Sequence, residues 1–119
     1  MKTIHFYRLE SGACPVEDFL DSLTGEQAQK VTWVLQLIED LEVIPVQYFK
    51  KLVNTDDLWE IRVQVGSNAF RLLGFLEGNR VVILNHAFQK KTQKTPQKEI
   101  RITEARKRDY LRRRMELYE

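Results

Sequence analysis

LWEIRVQVGSNAFRLLGFLEGNRVVILNHAFQKKTQKTP, residues 58 to 96, decides the fold. Three runs rich in β-branched and aromatic residues are separated by Gly66-Ser67 and Gly78-Asn79. A glycine at the first central position of a two-residue turn suits a type II′ hairpin. The spacing therefore predicts three consecutive antiparallel strands over residues 58–65, 68–77 and 80 to about 90. Two-residue turns also set a register. Val65 opposite Asn68 places Arg62 opposite Arg71, and Glu77 opposite Arg80 places Arg71 opposite His86. One row across the sheet is then Arg62, Arg71 and His86, flanked by Gln64, Ala69 and Phe88 on one side and Glu60, Leu73 and Leu84 on the other. The opposite face carries Trp59, Ile61, Val63, Phe70, Leu72, Val81 and Ile83, a core face against helices.

Like charges directly opposite on neighbouring strands are destabilising, so Arg62 beside Arg71 needs a compensating group. Two explanations are open. Glu60 can neutralise one guanidinium in a sheet-surface ion-pair network, which contributes little. Alternatively, the pair is a cradle for phosphate, whose oxygens guanidinium groups bind in a bidentate fork. Lys90, Lys91 and Lys94 at the end of the third run favour phosphate. His86 among cations is expected to be neutral near pH 7 and able to accept a proton. Phe88 on the same face is placed to stack on a nucleobase or to pack against the last helix.

Outward from this segment, the flanks read as an α+β frame for one domain, residues 1–119. Residues 2 to 9 alternate as a strand, with Ile4 and Phe6 on one face and His5 and Tyr7 on the other. Pro15 opens a short helix with Val16, Phe19, Leu20 and Leu23 at helical spacing. Thr24 with Gln27 forms a capping box for a second helix, whose stripe is Val31, Val34, Leu35, Ile38 and Leu41 and which Pro45 ends. Residues 47 to 57 read as a connection holding Lys50 and Lys51. Thr95-Pro96 reads as the N-cap and first turn of a last helix to about residue 113. Ile100, Leu111 and Met115 are its docking residues, and its many arginines are expected to face water or a partner.

Charge is uneven. Residues 1 to 88 hold 8 Lys/Arg against 12 Asp/Glu, and residues 89 to 114 hold 11 against 3. A basic C-terminal quarter on a near-neutral body points to an anionic partner such as nucleic acid or an acidic protein. Cys14 is the only cysteine, so an internal disulfide and a cysteine metal site are excluded; a reducing, cytoplasmic location fits. No apolar run is long enough for a membrane span. Only His5 and His86 exist, without metal-ligand spacing, and neither a phosphate-binding glycine loop nor a dinucleotide fingerprint is present. No cofactor is expected. A nuclease built from this chain would be metal-independent and would use the RNA 2′-hydroxyl as nucleophile, with Arg and Lys stabilising the charge on phosphorus.

Several stretches together resemble the HigB-type, phage-derived branch of the RelE/ParE toxin superfamily: KKL at 50–52, LWEIRV at 58–63, FRLLGF at 70–75, ILNHAFQKKTQKTP at 83–96, EI at 99–100 and ARKRDY at 105–110. The resemblance implies a small, twisted, mostly antiparallel sheet with two N-terminal helices and a basic C-terminal helix. It implies the toxin of a type II toxin–antitoxin pair, an mRNA endoribonuclease acting at the ribosome and inhibiting translation, with a helix-turn-helix antitoxin as partner. On that reading Arg62, Arg71, His86, Lys90 and Lys91 are the expected catalytic set, and Lys50, Lys51, Phe88, Lys94 and Lys98 bind RNA. RelE-like members lean on Lys and Arg with a C-terminal Tyr, for which Tyr110 and Tyr118 are the stand-ins; some HigB members use His and acidic residues. The alternatives are a ParE-like gyrase inhibitor and a non-catalytic RNA-binding module, both compatible with the same fold.

Overall fold

The computed structural model describes residues 1–117; Tyr118 lies outside them. The chain is α+β, with elements β1 (Thr3–Phe6), α1 (Pro15–Asp21), α2 (Gly25–Asp40), β2 (Phe49–Lys51), β3 (Leu58–Val65), β4 (Asn68–Glu77), β5 (Val81–Lys90) and α3 (Gln97–Leu117). The strands form one sheet in the order β1-β5-β4-β3-β2, with β1 parallel to β5 and the other neighbours antiparallel. Three layers result. Val16, Val31, Val34 and Ile38 of α1 and α2 cover one sheet face through Ile61, Val63, Phe70, Leu72, Val82 and Leu84. On the other face Tyr7, Leu58, Phe75 and Ile83 form a smaller core with Ile100 of α3. No helix among the described residues is long and apolar enough to cross a membrane.

Local chemistry explains the elements. Thr24 accepts from the Gln27 N–H, and the Gln27 side chain accepts from the Thr24 N–H, so both halves of the capping box are made. α2 stops at Asp40, which leaves Leu41, the expected last member of its stripe, as an extended and exposed C-cap residue. Pro15 starts α1 where its missing N–H costs nothing. The outer edge of β1 is covered in part by Glu39, whose carboxylate accepts the Ile4 N–H at 2.9 Å. At the other edge, the stretch expected to be a connection contains β2, which pairs Lys50 with Glu60 and Lys51 with Trp59. Three residues are too short a run to show a periodicity, so only tertiary pairing reveals this strand.

The first hairpin has the expected register, with Val65 opposite Asn68 and Arg62 opposite Arg71. Gly66 has φ 59° while Ser67 does not have a positive φ, as a type II′ turn requires. The second hairpin differs. Glu77 pairs with Val81, so its loop is Gly78-Asn79-Arg80, and a bulge at Leu73/Gly74 leaves Asn85 without an opposite residue. The two shifts add to two residues: Arg71 stands opposite Phe88, and His86 stands opposite Leu73. Between turn and bulge the faces are exchanged, so Val81 and Ile83 pack with the α3-side core while Val82 and Leu84 face α1 and α2. Beyond the bulge the original parity returns, and His86, Phe88 and Lys90 share the face of Arg62 and Arg71.

α3 docks differently from its apolar pattern. Ile100 and Thr103 are buried, whereas Leu111 and Met115 are exposed. Polar anchors fix the helix: Tyr7 donates to Asp109 at 2.5 Å, Arg113 donates to the Arg8 carbonyl at 2.6 Å, and Arg106 donates to the Asn85 carbonyl at 2.8 Å. Of the basic residues expected to face water or a partner, Arg108, Arg112 and Arg114 are exposed, and several also hold ion pairs within the chain. Arg112 and Arg113 pair with Asp109, Arg112 also with Glu116, Arg114 with Glu77, and Lys107 with Asp56.

Candidate functional site

The corrected register assembles a basic groove on the α3-side face, past the N-terminal end of that helix. The row Arg62, Arg71, Phe88 is flanked by Gln64, Ala69, Lys90 on one side and by Lys50, Glu60, Leu73, His86 on the other. Glu60 is the hub. Its Oε1 lies 3.5 Å from Arg62 Nε and 3.6 Å from Arg71 Nε, and its Oε2 accepts the Thr95 hydroxyl at 2.5 Å. That bond explains why Thr95 does not cap α3: its side chain is spent on Glu60, and the Pro96 carbonyl accepts the first helical N–H groups, from Glu99 and Ile100.

These ions are not a loose surface network. The Glu60 and Arg71 side chains are 4% and 9% exposed, and Arg62 is 33% exposed. One buried carboxylate therefore faces two guanidiniums, and the cluster keeps a net positive charge. Arg71 gives an N–H to the Phe70 carbonyl at 2.9 Å, but its Nε is buried without a hydrogen-bond partner. Burial pulls the Arg71 pKa down, Glu60 raises it in part, and Arg62 lowers it further. Arginine stays charged regardless, so Arg71 is a desolvated cation with hydrogen-bonding capacity left over. Arg71 also lines two adjoining cavities, where its guanidinium can meet an oxyanion.

Arg62 borders three adjoining depressions. One, of about 590 Å³, is lined by Arg62, Gln64, Arg71, Lys90, Lys91 and Gln93. A second, of about 450 Å³, runs past Lys50, Glu60, Lys90, Lys94 and Thr95. A third, of about 340 Å³, opens beyond the end of β2 among Lys30, Gln47, Tyr48, Gln64, Arg62 and Arg71. Lys90 belongs to the first two. Burial, then Arg71, draw its pKa below the ordinary lysine range, Glu60 opposes this, and Arg62 adds to it. It is thus a groove lysine biased toward giving up its proton.

The expected site residues divide. Arg62, Arg71, Lys90, Lys91, Lys50 and Lys94 converge on the groove. Lys51 also borders it but pairs with Asp57 at 3.0 Å. His86, Phe88 and Lys98 do not line these depressions. Lys98 is exposed on the first turn of α3. Phe88 stacks on His86, with ring centroids 5.7 Å apart. Tyr110 is engaged elsewhere, donating to Glu77 at 2.7 Å and meeting the Phe75 ring edge-on. Glu60 entered the sequence reading only as a neutralising neighbour, and Thr95 only as a cap; their junction is set by the docking of α3, which no local pattern encodes.

His86 is held by α3. Its Nδ1 lies 3.2 Å from an Arg106 N–H and its Nε2 lies 3.1 Å from Glu99. Arginine can only donate, so Nδ1 accepts and the Nε2–H is given to Glu99: the ring is neutral, with a fixed tautomer. Burial lowers its pKa from 6.5, Glu99 opposes this, and Arg106 and Lys98 reinforce it. The unfolded chain therefore binds the proton first, and stability falls as pH drops through about 6.5 toward the depressed value. Urea denaturation is expected to show a falling midpoint from about pH 7 to pH 5, with a shallower slope in His86→Gln. Equal slopes in the two proteins would contradict this role. Asp109, held below its usual range by its hydrogen bonds from Tyr7 and the arginines despite partial burial, acts only below about pH 4 and does not confuse the window.

Among the described residues, no group of three or more His, Cys, Asp or Glu is placed to hold a metal ion. A family model, phage-derived Gp49-like protein (DUF891), matches residues 18–108, well over half of the chain. No curated protein matches it.

Proposed function

The chain belongs to the phage-derived Gp49-like family, a RelE/ParE-like toxin family whose membership implies an antitoxin partner, and from that premise we propose that it is a HigB-type endoribonuclease. On this reading it cleaves mRNA at the ribosome in the cytoplasm, and a helix-turn-helix antitoxin silences it. The supporting observation is the Arg62–Arg71 pair on one buried carboxylate, a cluster with net positive charge whose two arginines line a cavity shared with Lys90 and Lys91.

The chemistry follows from the groups present. A phosphodiester seated on Arg62 and Arg71 brings its 2′-hydroxyl to Lys90. Lys90, whose proton affinity burial and Arg71 lower, takes the hydroxyl proton when it is in its amine form, and the 2′-oxygen attacks phosphorus in line. The two guanidiniums carry the charge that grows on the non-bridging oxygens. The 5′-oxygen leaves and takes a proton from the far bank, where Lys50 and Lys94 stand. The products are a 2′,3′-cyclic phosphate and a 5′-hydroxyl. His86 stays a structural residue, since both ring nitrogens are engaged with α3. Lys91 adds positive potential along the strand path.

The end groups of the cut RNA test this chemistry. The expected 3′ fragment carries a 5′-hydroxyl, labelled by polynucleotide kinase without prior phosphatase treatment, and cleavage persists in EDTA. A 5′-phosphate, or loss of cutting in EDTA that added divalent cation restores, would contradict it.

A further inference from the structure

The two sides of the arginine pair differ in chemistry. Toward β5 the wall is basic and polar, with Lys90, Lys91, Thr92 and Gln93. Toward the end of β2 it is aromatic and amide-bearing, with Tyr48, Gln47 and Gln64 beside Lys30. Arg62 and Arg71 border both cavities. A phosphate at the arginines therefore has a lysine-lined cavity on one flank and an aromatic one on the other.

The aromatic flank is built, not incidental. β2 pairs with β3 only as far as Phe49 and Ile61, and the Arg62 N–H reaches the Tyr48 carbonyl at 2.9 Å, which fixes the Tyr48 backbone beside the arginine strand. The Tyr48 ring is braced edge-on by Trp33 of α2, with centroids 6.0 Å apart and planes at 77°. Lys30 in turn sits 5.0 Å from the Trp33 ring centre. Gln64 donates its amide N–H to the Gly66 carbonyl at 2.9 Å, which sets the orientation of its side chain. A ring held this way can receive a stacked base with little ordering cost. Amides carry both a donor and an acceptor for a base edge. The cavity volume of about 340 Å³ is in the range of small-ligand pockets, about 300–1,000 Å³.

We propose that the Tyr48–Gln47–Gln64 cavity is a nucleobase subsite, which takes the base adjoining the phosphate held by Arg62 and Arg71 and thereby contributes to choosing where RNA is cut. This rests on the reading of the arginine pair as a phosphate site. Tyr48 supplies the stacking surface, and Gln47 and Gln64 read the base edge.

The test is a binding cycle. A short single-stranded RNA, and copies of it in which one abasic residue is moved along the strand, are titrated by fluorescence anisotropy against the wild type, Tyr48→Ala and Arg71→Ala. All three are first checked for unchanged circular dichroism and cooperative unfolding. At one position, loss of the base is expected to weaken wild-type binding roughly tenfold or more, the scale of one base stacked on an aromatic ring. Tyr48→Ala loses about the same factor with intact RNA and little further with the abasic strand, the non-additivity of directly interacting groups. Tyr48→Phe and Tyr48→Trp restore it. If abasic penalties are the same in Tyr48→Ala as in the wild type, the subsite is wrong while the phosphate site stands. If Arg71→Ala leaves every affinity unchanged, the phosphate reading falls, and the subsite with it.

Discussion

Arg71→Ala is expected to lower RNA cleavage by roughly 10²–10³-fold, the usual cost of losing one preorganised donor to a developing oxyanion, while the protein stays folded. Stability survives for a reason visible in the ion cluster. Glu60 lies within 3.6 Å of both Arg62 and Arg71. With Arg71 gone, the buried carboxylate keeps Arg62 and the Thr95 hydroxyl, and the repulsion between directly opposed arginines disappears. The converse change, Glu60→Ala, would leave two cations without their shared carboxylate and is the poorer probe of catalysis. Arg71→Lys is expected to recover little, because an ammonium cannot reproduce the guanidinium fork. In growing cells Arg71→Ala therefore relieves growth arrest at equal protein level. A soluble, folded Arg71→Ala protein that remains fully toxic would show that the arginine pair is not the reactive site.

The largest stability effect is expected at Gly74. A Cβ built there would stand 1.9 Å from the Ile83 carbonyl oxygen, 2.8 Å from its carbon and 2.9 Å from the Leu84 Cα. All three are backbone atoms of the neighbouring strand, so no rotamer change can make room. The close approach is the local geometry of the bulge, where Gly74 pairs with Leu84 and the next residue on β5, Asn85, is unopposed. Gly74→Ala must open the β4–β5 ladder in the middle of the sheet, at a cost of about 3 kcal/mol or more. Against the roughly 5–15 kcal/mol that holds a small domain together, the variant is expected to unfold more than about 10 °C below the wild type by calorimetry. A melting point within a few degrees of the wild type would mean that the strands accommodate the methyl group. The bulge also carries the site, because it sets which β5 residue meets Arg71.

How far the sequence reveals this molecule follows from the range of each interaction. Gly66-Ser67 is a two-residue turn, so the Arg62–Arg71 opposition can be read from chain positions alone, and the two strands have that register. The Thr24–Gln27 capping box is equally local and equally legible. Gly78-Asn79 carries the same signal, yet its loop takes in Arg80, and Asn85 bulges further along. One hint was present: the polar Asn85 directly follows the apolar run VVIL, and a glycine stands inside the apolar run FRLLGF. Its side chain is fully buried because α3 receives it, with the amide donating to the Thr103 carbonyl at 3.1 Å and the Asn85 carbonyl accepting from Arg106. Pairwise turn rules cannot foresee a bulge held by a distant helix. For the same reason His86 is drawn toward Glu99 and Arg106, and Lys90 takes the place beside the arginines. Leu111 and Met115 mislead because α3 is anchored by Tyr7–Asp109 and Arg113, not by its apolar stripe. The lysine cluster after β5 needed only its position at the strand end to be read as part of the basic surface.

Ribosome-dependent cleavage is decided by primer extension on a defined mRNA, incubated with the purified protein in the presence and absence of a programmed ribosome. New cuts at codon-spaced positions are expected only when the ribosome is present, and are lost with Arg71→Ala. Intact mRNA under both conditions, beside an active control toxin, would contradict ribosome-dependent cleavage and turn attention to gyrase inhibition or RNA binding without cleavage.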